Sequence, residues 1–194
     1  MTTRPSQCDV DSMTNAPVLS GSSVRVFGIL LTYQRQALFT EMLRQICAQQ
    51  RVLDCLVVVD NEASEETADI SRRFQETCPE SHWVHLRSPK NLGSAGGWAW
   101  GMETVLELAN DRDWVLTLDD DNPPGHDGLF RQMFEFAETQ REREPELGAV
   151  GIVGARFNWR TGNLVRLPDE ELKGPVRVDY VGNGHMAMYS VGMI

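Results

Sequence analysis

Four short apolar runs, each closed by a polar cluster and followed by a polar or helical stretch, constrain this chain most. They are VRVFGILL (24–31), CLVVV (55–59), WVHL (83–86) and WVLTL (114–118). The first is apolar apart from Arg25, as expected of a strand buried on both faces. After it, Phe39, Met42, Leu43, Ile46 and Cys47 form one apolar stripe at helical spacing. After the second run, Glu62, Ser64, Glu65 and Glu66 place negative charge at a helix start, and Ala63, Ile70 and Phe74 give its inner face. After the third, Ala95, Trp98, Ala99, Met102, Leu106 and Ala109 repeat with helical spacing. After the fourth, Asp127 reads as an N-cap for a helix from Leu129 to about Arg143, with Phe130, Phe134 and Ala137 inward. Such alternation predicts an α/β fold with a mostly parallel central sheet and helices on both faces, a Rossmann-like arrangement.

The C-terminal part reads as strand-rich. Ala149–Phe157 is an apolar strand, Thr161-Gly162-Asn163 a turn, and Pro175–Val181 and Met186–Val191 are further strands. The sheet is therefore expected to become mixed toward the C-terminus. Residues 1–22 are rich in Ser, Thr, Pro and Asp and are expected to be a flexible leader, leaving 23–194 as one domain.

Charge narrows the partners. A net charge of −10 argues against nucleic acid as the main ligand, while leaving room for a small anion carried by a metal. No apolar run is long enough to span a membrane, and no signal peptide is seen. Cys8, Cys47, Cys55 and Cys78 show no zinc spacing and are expected to be reduced thiols in a cytoplasmic protein.

The run WVLTL leads into Asp119, Asp120 and Asp121, and Pro123 and Pro124 then stop the chain. Carboxylates after a buried strand sit where open α/β sheets bind ligands. Three in a row repel one another, and Mg²⁺ or Mn²⁺ relieves that repulsion. Strand periodicity places Asp119 and Asp121 on one face, which suggests an Asp-x-Asp metal site; a polar turn capping the next helix is the plainer alternative. Lys90–Gly97 carries Gly93, Gly96 and Gly97 at a helix start. It is either an anion-binding loop or a tight turn with close helix packing. Thr32 to Arg35 offers hydroxyls, an amide and a guanidinium, for a base edge or a phosphate or simply for solvent. Asp60 is either an acceptor for a base N–H or a helix cap. His82, His85, His126 and His185 read as surface or loop residues. In a parallel sheet the four polar clusters gather along one edge, which carries more weight than any one of them.

Together ILLTYQR (29–35), VVVDN (57–61), NLGSAGGWAWGM (91–102) and LTLDDDNPP (116–124) resemble the nucleotide-sugar-binding part of inverting family 2 glycosyltransferases of GT-A fold, in the style of bacterial rhamnosyl- and galactofuranosyltransferases. The resemblance covers roughly residues 24–190. It implies transfer of a sugar from a UDP- or dTDP-linked donor to a glycan or lipid-linked acceptor, with metal assistance. It implies donor contacts from Thr32, Arg35, Asp60, Asn91, Gly93, Gly96, Asp119 and Asp120, and a cation held by Asp119 and Asp121. In the family a carboxylate base and a histidine lie farther along. The sequence ends at Ile194 before that place, so the catalytic base is unassigned and a truncated chain is expected. A non-catalytic nucleotide-sugar-binding domain is the alternative. A nucleotidyltransferase is a third, but TYQRQ is not the basic, glycine-rich loop that such an enzyme carries after its first strand. Association with the inner face of a membrane is compatible with such an acceptor, though no basic amphipathic helix supports it.

Overall fold

A computed structural model describes residues 23–182 and 186–194. The expected leader, Cys8 and His185 lie outside the described residues. Strands β1 (Val26–Thr32), β2 (Cys55–Asp60), β3 (His82–Arg87) and β4 (Trp114–Asp119) form a parallel sheet in the order β3-β2-β1-β4. Two further strands complete it beyond β4. These are β9 (Ala187–Ser190), antiparallel to β4, and β5 (Ala149–Gly151), antiparallel to β9. The α/β fold with a sheet mixed toward the C-terminus is as the sequence predicts.

The two faces of β1 explain the layers. Val26 and Leu30 point to one side, with Leu56, Val58, Trp114, Leu116 and Leu118 from neighbouring strands. That side is covered by α1 (Gln36–Cys47) through Phe39, Met42, Leu43 and Ile46, by α2 (Glu65–Thr77) through Ile70, and by α4 (Leu129–Arg143) through Phe130, Met133 and Ala137. Phe27, Ile29 and Leu31 point to the other side, where α3 (Gly93–Leu108) lies. Burial on both faces is why the strands read as unbroken apolar runs.

Helix α3 departs from the expected stripe. Its buried residues are Gly97, Gly101 and Val105, whereas Ala95, Ala99 and Leu106 are exposed. Two glycines one helical turn apart let the helix backbone approach β1 and β2. A Cβ on Gly101 would lie 2.6 Å from Ile29 Cγ2 and 3.1 Å from Val59 Cγ2. An apolar count gives glycine no weight, so it rotates the helix by the wrong amount.

Four other expectations change. Helix α4 is not capped by Asp127. Its N-cap is Gly128, the Phe130 amide donates to Gln49 Oε1 (3.1 Å), and the Gly128 amide donates to His126 Nδ1 (3.1 Å). The first of these bonds comes from the loop after α1, which ties the segment after β4 to that loop. Helix α2 starts later than expected, after an N-cap at Ser64, so Glu62 and Ala63 are in the preceding loop. The run Ala149–Phe157 is two strands rather than one. The chain leaves the main sheet at Ile152 and Val153, both exposed, and enters β6 (Gly154–Asn158). With β7 (Asn163–Arg166) and β8 (Tyr180–Val181), β6 builds a small antiparallel sheet, and the Thr161–Asn163 turn joins β6 to β7 as expected. Of Pro175–Val181, only Tyr180–Val181 pairs as strand; proline has no N–H for a ladder.

Among the described residues no helix is long and apolar enough to cross a membrane. Cys47, Cys55 and Cys78 are free thiols, and burial pushes the Cys55 thiol up to about 12.

Candidate functional site

Register brings the polar clusters together. Thr32 pairs with Asp60 across β1 and β2, and Leu31 pairs with Asp119 across β1 and β4. All three strands therefore end at one level, the carboxyl rim of the sheet. The turn after β1, the start of α3 and the turn after β4 enclose a cleft of about 350 Å³ there. That is the size range of small-molecule sites. Its lining includes Thr32, Arg35, Asn61, Asn91, Gly93, Ser94 and Asp119 to Asp121.

Asp120 is the buried member of the acidic trio, at 5% exposure. Thr32 Oγ1 donates to its Oδ2 (2.8 Å), and Arg35 Nη1 donates to its Oδ1 (3.2 Å). Burial raises the Asp120 carboxyl above the usual range, with Thr32 and Arg35 opposing. The same Arg35 nitrogen donates to Asp121 Oδ2 (2.6 Å). These contacts, Asp121 first, raise the Arg35 guanidinium further. Asp119 closes β4 and is half-buried. Because the strand ends there, Asp120 and Asp121 are in a turn, and the expected alternation of faces does not continue; all three line the cleft.

The glycine segment is used for packing at one end and borders the cleft at the other. Gly97 and Gly101 serve packing, whereas Gly93, with φ of 71°, lines the cleft and opens α3. The Gly93 amide donates to Asn91 Oδ1 (2.7 Å), and Asn61 Nδ2 donates to the Gly93 carbonyl (3.2 Å). The N-cap residue, Leu92, makes no side-chain cap bond, so Asn91 meets the first amide in its place. The helix begins at the cleft, through Gly93 and Ser94, and a helix start is a setting that favours an anion. Gly96 packs against its own helix start, where a Cβ would lie 2.9 Å from Leu92 Cβ.

Asp60 is placed differently from its neighbours. It is 1% exposed, and its carboxylate accepts from the Glu62 amide (3.0 Å) and the Ser64 amide (3.0 Å). It braces the β2–α2 loop. The residue beside it, Asn61, lines the cleft instead. Asn61 is 2% exposed, and its Oδ1 has no hydrogen-bond partner among the described residues. A buried acceptor of that kind awaits an N–H or O–H donor. Sequence reasoning missed Asn61 as a binding residue; its place at the strand end was the only signal. His82 and His85 lie in β3 rather than in loops, and His85 Nε2 is 3.9 Å from Asp60 Oδ2.

Asp60 gives a pH test of the loop. Burial pushes its carboxyl above the usual range, although the Glu62 and Ser64 amides and Arg87 pull it down. The folded protein therefore keeps this proton to higher pH than the unfolded chain. The stability gained is full below the ordinary carboxylate value and is lost as pH rises through the raised value. Asp60→Asn removes the titration. In urea denaturation from pH 4 to pH 7, the wild type is expected to lose stability relative to Asp60→Asn as pH rises; parallel curves would refute it.

A divalent cation at the acidic trio would have to be held jointly with a ligand. Arg35 brings one positively charged nitrogen within hydrogen-bond distance of two of these carboxylates, so that pair is balanced by a guanidinium. Among the described residues no group of three or more His, Cys, Asp or Glu side chains is placed to hold a metal ion by itself. Mg²⁺ seldom needs such a group, since it binds through one or two carboxylates plus phosphate oxygens.

Comparison with known proteins gives the family and the fold. The model of a family described as "Glycosyltransferase like family 2" matches residues 27–172. The chain is 31% identical over 114 residues to galactofuranosyltransferase GlfT1 of Mycolicibacterium smegmatis, a match covering 59% of this chain and 35% of that protein. It thus spans about a third of that relative. Its fold is similar to that of S. aureus TarS (residues 1–349) in complex with UDP, with TM-score 0.60, 16% identity, and coverage of 87% of this chain and 47% of that one. It is also similar to mannosyltransferase PcManGT from Pyrobaculum calidifontis in complex with GDP-Man and Mn²⁺, with TM-score 0.56, 22% identity, and coverage of 87% and 45%. At these identities the two structures speak for the fold.

Proposed function

We propose, from the premise that this chain belongs to the glycosyltransferase-like family 2, that its rim cleft binds a nucleoside diphosphate sugar for transfer to a hydroxyl acceptor. One observation carries the reading: Thr32, Arg35, Asn61, Asn91, Gly93, Ser94 and Asp119–Asp121, far apart in sequence, line a single cleft.

Each part of the cleft suits a part of such a donor. The Asn61 Oδ1 acceptor suits an N–H of a base or an O–H of a ribose or sugar. The start of α3, where Gly93 and Ser94 line the cleft, suits the diphosphate. Asp119 and Asp121 would hold the divalent cation, Mg²⁺ or Mn²⁺. When bound, that ion supplies charge neutralisation for the departing nucleoside diphosphate. Asp120, anchored by Thr32, supports the site from below and suits a donor hydroxyl. Asp60 acts indirectly, by holding the loop that presents Asn61. A base belonging to the acceptor side would take the acceptor's proton.

The relatives' names make UDP-galactofuranose the first donor to try, with a glycan or lipid-linked hydroxyl as acceptor. The test is a panel of UDP-, dTDP- and GDP-sugars with Mn²⁺, read for both nucleotide binding and sugar release or transfer. Saturable binding with turnover is expected. Binding without turnover would favour a nucleotide-sugar-binding domain; no binding of any nucleotide would refute the reading.

A further inference from the structure

We infer that Arg35 is an exchangeable counter-cation, so that the cleft takes a divalent cation together with a diphosphate far more readily than the cation alone. The inference rests on the donor-binding reading above and adds how that site is filled.

Arg35 Nη1 and a cation on the acidic trio compete for the same oxygens. That nitrogen lies 2.6 Å from Asp121 Oδ2 and 3.2 Å from Asp120 Oδ1. A guanidinium does not lose its charge in the working pH range, so it cannot yield by deprotonation. It must move. The surroundings decide which groups can. Asp120 is held on its other oxygen by Thr32 and is nearly buried, so it stays. The Arg35 and Asp121 side chains are each 51% exposed. Arg35 stands at the N-cap of α1, and its own side chain makes no cap bond there. Its backbone is anchored by the Phe39 amide, so only the side chain swings.

A half-exposed ion pair is weak, which keeps the exchange within reach of a ligand. A bare cation displaces Arg35 at a loss, because the guanidinium gives up two carboxylates and gains only water. A cation arriving with a diphosphate gives the guanidinium a new anionic partner, and phosphate suits its planar fork. The two ligands therefore help one another, and by linkage each raises the other's affinity equally.

The test is calorimetry of Mn²⁺ alone and of UDP with Mn²⁺, on wild type, Arg35→Gln and Arg35→Lys. Thermal unfolding serves as a control for folding. Arg35→Gln is expected to bind Mn²⁺ alone about tenfold more tightly than wild type. Arg35→Lys keeps the charge and is expected to stay near wild type. If Arg35→Gln binds Mn²⁺ no better, while wild type still binds UDP with Mn²⁺, the exchange is refuted and donor binding stands. Tightening in both variants also refutes it, since charge would then not be the cause. A wild type that binds neither ligand overturns the exchange and the donor reading together.

Discussion

Asp121→Ala is expected to abolish cation-dependent binding of UDP while leaving the fold intact. Loss of even an outer partner of a metal site costs about 10- to 100-fold in affinity, so loss of a carboxylate ligand should cost at least about 100-fold. The fold should survive because Asp121 is in the turn after β4 with its side chain half exposed, paired with Arg35 at the surface. Surface changes of this kind stay within about 0.5 kcal/mol. Asp120→Ala would be a poorer choice. It would strip buried Thr32 of its acceptor and confuse binding with stability. UDP binding without Mn²⁺ should change little in Asp121→Ala, because Arg35 and the start of α3 remain. Calorimetry with UDP, with and without Mn²⁺, reads both arms. Unchanged affinity in the Mn²⁺ arm would remove Asp121 from the site.

The rim was legible in the sequence because parallel strands buried on both faces leave few places for polar residues. VRVFGILL, CLVVV and WVLTL can turn polar only where they leave the core, and adjacent parallel strands leave it at one level. That logic places Thr32, Asp60 and Asp119 together without any side-chain detail. It stops at the strand ends. There the backbone turns, and alternation no longer says which of two adjacent side chains faces the cleft. Asp60 and Asn61 are the example: the carboxylate drew attention, but it folds back on the Glu62 and Ser64 amides, and the neighbouring amide meets the cleft. Asp119 to Asp121 repeat the point, since the turn brings all three to one side. The split of Ala149–Phe157 was hidden for another reason. Apolar residues continue through the break at Ile152 and Val153, and a continuous run does not reveal that its two halves join different sheets.

Helix α3 supplies the largest expected loss of stability, at the position where apolar counting misled. Gly101→Leu should destabilise the protein by about 3 kcal/mol, the upper part of the usual range for overpacking a core. A first carbon would already lie 2.6 Å from Ile29 Cγ2 and 3.1 Å from Val59 Cγ2. Both neighbours are β-branched and stiff at χ1, and both are in central strands of the sheet. They cannot step aside, and leucine adds three more carbons. The helix gains about 1 kcal/mol by losing a glycine, which does not offset the clash. Gly97 is a milder case for stability, because the atom nearest to a methyl added there is the flexible end of Leu31, at 2.4 Å; yet Asn61 Nδ2 follows at 3.1 Å, so change there would disturb the cleft directly. Gly101→Leu reaches the cleft by another route. Displacing α3 from the sheet moves Gly93 and Ser94, which line it. Urea denaturation should therefore show lower stability, and UDP binding should weaken in the fraction that remains folded. A Gly101→Leu protein as stable as wild type would mean that α3 does not rest on β1 and β2 through its glycines, and the start of that helix would lose its footing in the cleft.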